Sequence, residues 1–155
     1  EFQQYLDTTN FCDYLLISWF IALTDWPGNN YYIGNRNLPS PNASLWYAWD
    51  GEWSWDVSLS GSVHGAWVHP AFSNPASTDP SPSARMFKSA RKSPDFLMLL
   101  ADRTYRHMFN DGVLTEVNNR ARWKALNDYI RDAVIAESAR WGDTLLPLRT
   151  PAHHS

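Results

Sequence analysis

The sequence predicts an α+β fold that is mostly helical and carries one small β-hairpin. Three observations lead there: an apolar stretch of helical length at 11–23, two aromatic runs around a proline-containing turn between 31 and 49, and helix start and stop signals that recur after Pro82.

Each element has its own reason. Phe11, Tyr14, Leu15, Ser18, Trp19 and Ala22 recur at helical spacing, and Leu16, Ile17, Phe20 and Ile21 fill most of the remaining positions. A helix that is apolar on most faces is a buried one. Thr8, Thr9 or Asn10 is its expected cap, and residues 1–6 read as the end of an upstream element. Pro27-Gly28 then breaks the chain, with Trp26 beside it as an anchor. Residues 31–36 and 44–49 read as two strands joined by a loop holding Pro39 and Pro41. Asp50-Gly51 closes the second strand, and the glycine is expected to supply the unusual backbone angles of that turn.

Residues 57–81 are rich in Ser, Pro, Gly and Asn and lack steady periodicity, which predicts a long loop of the functional or mobile kind. Ser58, Ser60 and Ser62 read as phosphorylation sites or as loop filler, and His64 and His69 as unligated loop histidines. A short basic helix follows at 83–91. Ser93-Pro94-Asp95 opens a second helix, to about Asn110, that is expected to bury some combination of Phe96, Leu97, Leu100, Tyr105, Met108 and Phe109. On it His107 reads as a satisfied boundary histidine. Thr115 caps a third helix, to about Trp141, whose expected apolar side holds Val117, Ala121, Leu126, Ile130, Ala133 and Val134, and Gly142 closes it.

Composition excludes several functions. A chain of 155 residues is one domain or a large part of one, and nine Trp with 15% aromatic residues require an ordered, packed interior. A net charge of -3 gives no basic field, so no nucleic-acid partner is expected. No apolar run is long enough for a membrane span. The single Cys12 supports neither an internal disulfide nor a metal-ligand spacing and reads as a core residue. Arg85, Lys88, Arg91 and Lys92 form a basic cluster that reads first as a solvated helix face and second as a contact for an acidic or phosphorylated substrate.

The residues that could carry chemistry are Asp25, Asn30 and Asp50. Protein kinases place a catalytic Asp, an Asn five positions on and a magnesium-holding Asp beyond a short hairpin, and these three residues stand in that order. The same residue types also suit turns, with Asp25 as a cap and Asn29 or Asn30 in a left-handed conformation. Arg36 is a candidate phosphate contact, and Glu52 and Asp56 are further acids nearby.

At this point the chain resembles a known family. YLDTTNFCDYLLISWFIALTDWPGNNYYIGNR and LWYAWDGEWSW, with FNDGVLT and AESARWGD further on, are similar to the C-terminal two-thirds of a spore-coat CotH kinase-like domain, over roughly residues 6–143. The most specific parts are D-x4-N, Asp25 to Asn30, and the WYAWD run that ends on Asp50. The resemblance implies the catalytic lobe of a secreted or cell-surface atypical protein kinase that uses ATP with Mg2+ or Mn2+ on a protein Ser or Thr. It makes Asp25 the catalytic aspartate, Asn30 a metal-binding amide and Asp50 the counterpart of the metal-binding Asp of the DFG motif.

The family's nucleotide-clamping N-terminal lobe is expected to be absent from this chain. Its only lysines, Lys88, Lys92 and Lys124, all follow Asp50. The expected division is a partial kinase-like domain at 1–143 and an irregular tail or linker at 144–155, with the fragment inactive without the remainder of its parent chain. Two other readings stand beside this one. The first is an inactive pseudokinase or extracellular structural module. The second is a sugar-binding or hydrolytic domain using Asp25 and Asp50 as paired carboxylates.

Overall fold

The computed structural model describes residues 4–23, 26–35, 43–51, 54 and 78–145, with side chains described as far as Trp141. Asp25, Arg36, Glu52, Asp56, the serines 58, 60 and 62, His64 and His69 lie outside the described residues. The elements are α1 (Thr8–Phe20), β1 (Tyr31–Gly34), β2 (Leu45–Ala48), α2 (Pro82–Ala90), α3 (Pro94–Met108) and α4 (Glu116–Leu145). They fall into two compact units, Glu1–Phe109 and Asn110–Ser155.

In the first unit α1 is the centre of the core. Phe11, Cys12, Tyr14, Leu15, Leu16 and Ser18 are all buried, as an all-round apolar helix requires. Its cap is Asp7 rather than the expected Thr8, Thr9 or Asn10. The Asp7 carboxylate accepts from the Asn10 backbone N–H at 2.9 Å, and Asp outranks Thr in this role. The helix ends at Phe20, short of the expected Leu23. Ala22 turns left-handed at φ 52°, so the Ala22 and Leu23 N–H groups donate back to the Trp19 and Ser18 carbonyls. This paired closure is the usual way a helix satisfies its last carbonyls.

The two strands pair antiparallel, with Tyr31 opposite Ala48, Tyr32 opposite Tyr47, Ile33 opposite Trp46 and Gly34 opposite Leu45. The inner face presents Trp46, whose ring lies 5.2 Å from both Phe11 and Tyr14 of α1. A two-stranded sheet leaves β2 with an open edge, and α1 closes it. Asn10 presents its side-chain amide as a substitute peptide group: Trp46 N–H donates to Oδ1 at 2.6 Å and Nδ2 donates to the Trp46 carbonyl at 3.1 Å. Ser44 N–H donates to the Tyr5 carbonyl, and Asp7 N–H to the Ser44 carbonyl, extending the closure. Replacing Asn10 by Ala orphans a half-buried donor and acceptor at once. A loss of about 2–3 kcal/mol is expected in chemical denaturation.

Burial pushes the Cys12 thiol up to about 12, with the neighbouring Asp13 charge adding to the shift, and burial pushes the Tyr14 hydroxyl up to about 12. Both groups then hold their protons in the folded state at pH values where the unfolded chain releases them. The folded state binds more protons in that window, so stability falls as pH rises. Unfolding monitored from pH 8 to 12 should show a stability plateau that ends near pH 9 and declines up to about 12. A flat profile across that window would contradict the burial of both groups.

The remaining walls of this core come from α2 and α3. Phe87 of α2 meets Trp19 edge-on at 5.6 Å, and Phe96 of α3 lies 6.2 Å from Phe11. Ser93 is the N-cap residue of α3 with Pro94 in the first turn, as expected, although its hydroxyl makes no capping bond. The inward side differs from the expected one. Phe96 is buried and Leu99 and Leu100 are partly buried, whereas Leu97, Tyr105 and Phe109 are exposed.

The reason is Asp13 on α1, which draws a polar pair onto the inner side of α3. Arg103 grips it through Nε at 2.7 Å and a second nitrogen, and His107 Nε2 lies 3.1 Å from the same carboxylate. The Asp13 hydrogen bonds hold the Arg103 pKa above its ordinary value. His107 is thus the satisfied boundary histidine that its context suggested.

In the second unit, α4 starts from a turn fastened by side chains. The Thr115 hydroxyl donates to the Gly112 carbonyl at 2.8 Å, and Asn118 Nδ2 reaches the Asp111 and Gly112 carbonyls. The helix runs through Gly142 to Leu145, past its expected end. The side chains expected on its buried face, Val117, Leu126, Ile130 and Val134 among them, are exposed. Within this unit α4 is the only helix or strand among the described residues, so the unit supplies no second element to cover that side. The pairs Glu116–Arg120 and Lys124–Asp128, one turn apart, support the helix locally.

Candidate functional site

The sequence places its candidate chemistry at one end of the hairpin, and the local structure there is anchored by a ring. Trp26 is 1% exposed, and its indole N–H donates to the Tyr14 hydroxyl at 2.5 Å. That bond fastens the turn after α1 to the core, so Asn29 and Asn30 leave from a fixed point into β1.

Asn30 and Asp50 flank the two strands, and both are left-handed, each with φ 57°. The left-handed reading of Asn30 is therefore correct. The turn after β2 differs from expectation, because Asp50 takes the unusual angles that Gly51 was expected to take. Asn and Asp adopt this region at the least cost among residues with a side chain, since their short polar groups bond locally. Here the bond is long-range in sequence: Asn30 Nδ2 donates to the Asp50 carbonyl at 3.0 Å and closes the open end of the hairpin. Two adjoining left-handed non-glycine residues are a local strain of the kind that collects at functional sites.

The structure therefore brings two of the three sequence-predicted residues together. Asp50 is exposed and Asn30 is half-buried. Asp25, the third, lies outside the described residues. Among the described residues no three His, Cys, Asp or Glu side chains converge. An Asn amide oxygen with one Asp carboxylate is nevertheless a hard-oxygen donor pair. It fits the way magnesium binds, through one or two protein ligands with waters and phosphate completing the shell, and does not make an all-protein cage.

Beside this pair a cavity of about 900 Å3 runs along the hairpin, lined by Tyr31, Tyr32, Gly34, Leu45, Tyr47 and Trp49 among others. The Tyr32 and Tyr47 rings are 6.1 Å apart across the strands. A Cβ on Gly34 would come within 3.2 Å of the Tyr47 ring, so the missing side chain is what lets that ring lie over β1. These residues were not singled out from the sequence. Alternation within WYAW was the signal available: Trp46 goes inward and Tyr47 and Trp49 share the other face once the register is known.

Among the described residues no helix is long and apolar enough to cross a membrane. Neither a curated protein nor a solved structure matches the chain. The sequence pattern of the family described as CotH kinase protein matches residues 1–145, which include every described element and both Asn30 and Asp50, and the chain belongs to that family.

Proposed function

We propose that the protein is a metal-dependent phosphotransferase that moves the γ-phosphoryl group of ATP to a Ser or Thr hydroxyl of a protein partner. Family membership supports kinase-like chemistry in general. The observation that carries the reading to particular residues is the Asn30–Asp50 junction, where the Asn30 amide bonds the Asp50 main-chain carbonyl and the residues next to the pair in the chain, Tyr31 and Trp49, line the aromatic cavity. In this reading Asp25 orients the acceptor hydroxyl and takes its proton. The acceptor oxygen bonds to the γ-phosphorus while the bridging bond to the β-phosphate breaks and ADP leaves with the electron pair. Asn30 Oδ1 and the Asp50 carboxylate hold Mg2+ or Mn2+, which when bound neutralises charge on the phosphate oxygens. The tyrosine and tryptophan rings receive the planar base of the nucleotide. A secreted or cell-surface location is part of the same proposal and rests on the resemblance.

Titration of the full-length protein with ATP, with and without Mg2+, tests this. Saturable binding that needs the metal is the expected result. Absence of ATP binding in the presence of Mg2+ or Mn2+ would overturn it in favour of a structural or assembly module. The exposed row Tyr32, Tyr47 and Trp49 would then be its contact surface.

A further inference from the structure

A second cavity, of about 860 Å3, lies along α2 and shares no residue with the one on the hairpin. Its walls are Pro82, Arg85, Met86, Lys88, Ser89, Arg91 and Lys92. Four cations therefore line one groove in a chain whose net charge is -3. No acid stands between Pro82 and Lys92. Arg85 and Lys92 are exposed and make no ion pair among the described residues. The Arg91 guanidinium is held over the Phe87 ring at 5.7 Å, which tethers one cation to the core of the first unit. Met86 and Pro82 add an apolar side to the groove.

We propose that this groove docks an acidic, phosphorylated segment of a protein partner, with the guanidinium and ammonium groups holding phosphoserine or phosphothreonine together with neighbouring Asp or Glu. Charge complementarity is one ground. Guanidinium groups bind phosphate oxygens through paired hydrogen bonds, and the ammonium groups supply point charges alongside. The mixed lining is another, because Met86 and Pro82 offer contact to the side chains of a peptide. The chain's overall negative charge works against a long polyanion such as duplex DNA. If the protein is a kinase as proposed above, the groove is a docking subsite for substrates already carrying phosphate. Binding there requires no ATP.

The test is fluorescence anisotropy with the intact protein and three labelled peptides of one sequence: two phosphoserines flanked by Asp and Glu, the same peptide with unmodified serines, and a version with Ser and Gln at the acidic positions. The phosphorylated peptide should bind at least about tenfold tighter than the unmodified one, and the neutral version should not bind. Affinity should fall by about tenfold between low salt and 0.3 M salt. Arg85→Glu should weaken phosphopeptide binding by about tenfold or more, whereas Arg106→Glu, the same charge change at an exposed site on α3, should change it less than about threefold.

Equal binding of all three peptides, or equal loss in both variants, would overturn the proposal. Tighter binding of duplex DNA or of anionic phosphatidylserine vesicles than of the phosphopeptide would also overturn it. Phosphopeptide binding without ATP binding would leave the groove standing and remove the kinase reading. The reverse result would do the opposite.

Discussion

Replacing Asp50 by Asn in the full-length protein is expected to abolish metal-dependent ATP binding and to lower phosphoryl transfer by about three orders of magnitude. That figure follows from the several kcal/mol a catalytic metal supplies, at about 1.4 kcal/mol per tenfold in rate. The substitution is unusually clean here. Asp50 sits at φ 57°, and Asn is the other side chain that tolerates this region well, so the turn is kept. The bond from Asn30 goes to the main-chain carbonyl of Asp50, which the substitution leaves in place. What changes is one charge. Asp50→Ala would add backbone strain of about 1–2 kcal/mol and confuse the two effects. The measurement is ATP affinity with and without Mg2+ beside a transfer assay. Unchanged Mg2+-dependent affinity in Asp50→Asn would remove Asp50 from the metal site.

The other large effect is on stability. Trp46→Ala is expected to cost about 3–5 kcal/mol, a large share of the 5–15 kcal/mol that holds an ordinary domain together. Trp46 is 3% exposed and touches the Phe11, Tyr14 and Tyr31 rings, so its removal leaves a cavity where the hairpin meets α1. The surrounding rings are held by the helix and by the Trp26–Tyr14 bond and cannot collapse far into it. Trp46→Phe keeps part of the contact and should cost less. Urea unfolding of both variants gives the comparison, and a change under 1 kcal/mol for Trp46→Ala would mean that the hairpin is not docked as described. Asn10 grips the Trp46 peptide groups, so the double variant Asn10→Ala, Trp46→Ala should lose less than the sum of the two.

Both effects rest on features that differ in how well the sequence foretold them. The buried α1 was legible because nearly every position from Phe11 to Ile21 is apolar, and no partial burial could hide such a helix. The hairpin was legible from two aromatic runs separated by a short sequence that contains Pro39 and Pro41. Asn30 and Asp50 were legible as candidates by residue type and order. Their contact was not, because it depends on strand register and on a left-handed Asp50, at a turn where the sequence put the unusual angles on Gly51 instead.

Asn10 shows the limit most clearly. As a sequence position it is one possible helix cap among three. In the fold it is the closure of a strand edge 36 residues away, a role that exists only after α1 and β2 are side by side. The same holds for α3, where apolar spacing suggested Leu97 and Tyr105 inside and the structure turned Arg103 and His107 inward instead. The cause is one carboxylate, Asp13, on a different helix.

The sequence by itself determined that α1 is buried, that a hairpin follows it and that helices follow from Pro82 on, because these depend on periodicity and turn chemistry within a few residues. It also determined the family, because the Asp25–Asn30 and Trp46–Asp50 motifs are local strings. Only the tertiary structure decided which residue closes the β2 edge, which side of α3 faces the core and that Asn30 meets Asp50. Those outcomes depend on pairs of groups far apart in the chain, and the partner of a polar side chain is chosen by packing once the backbone is in place.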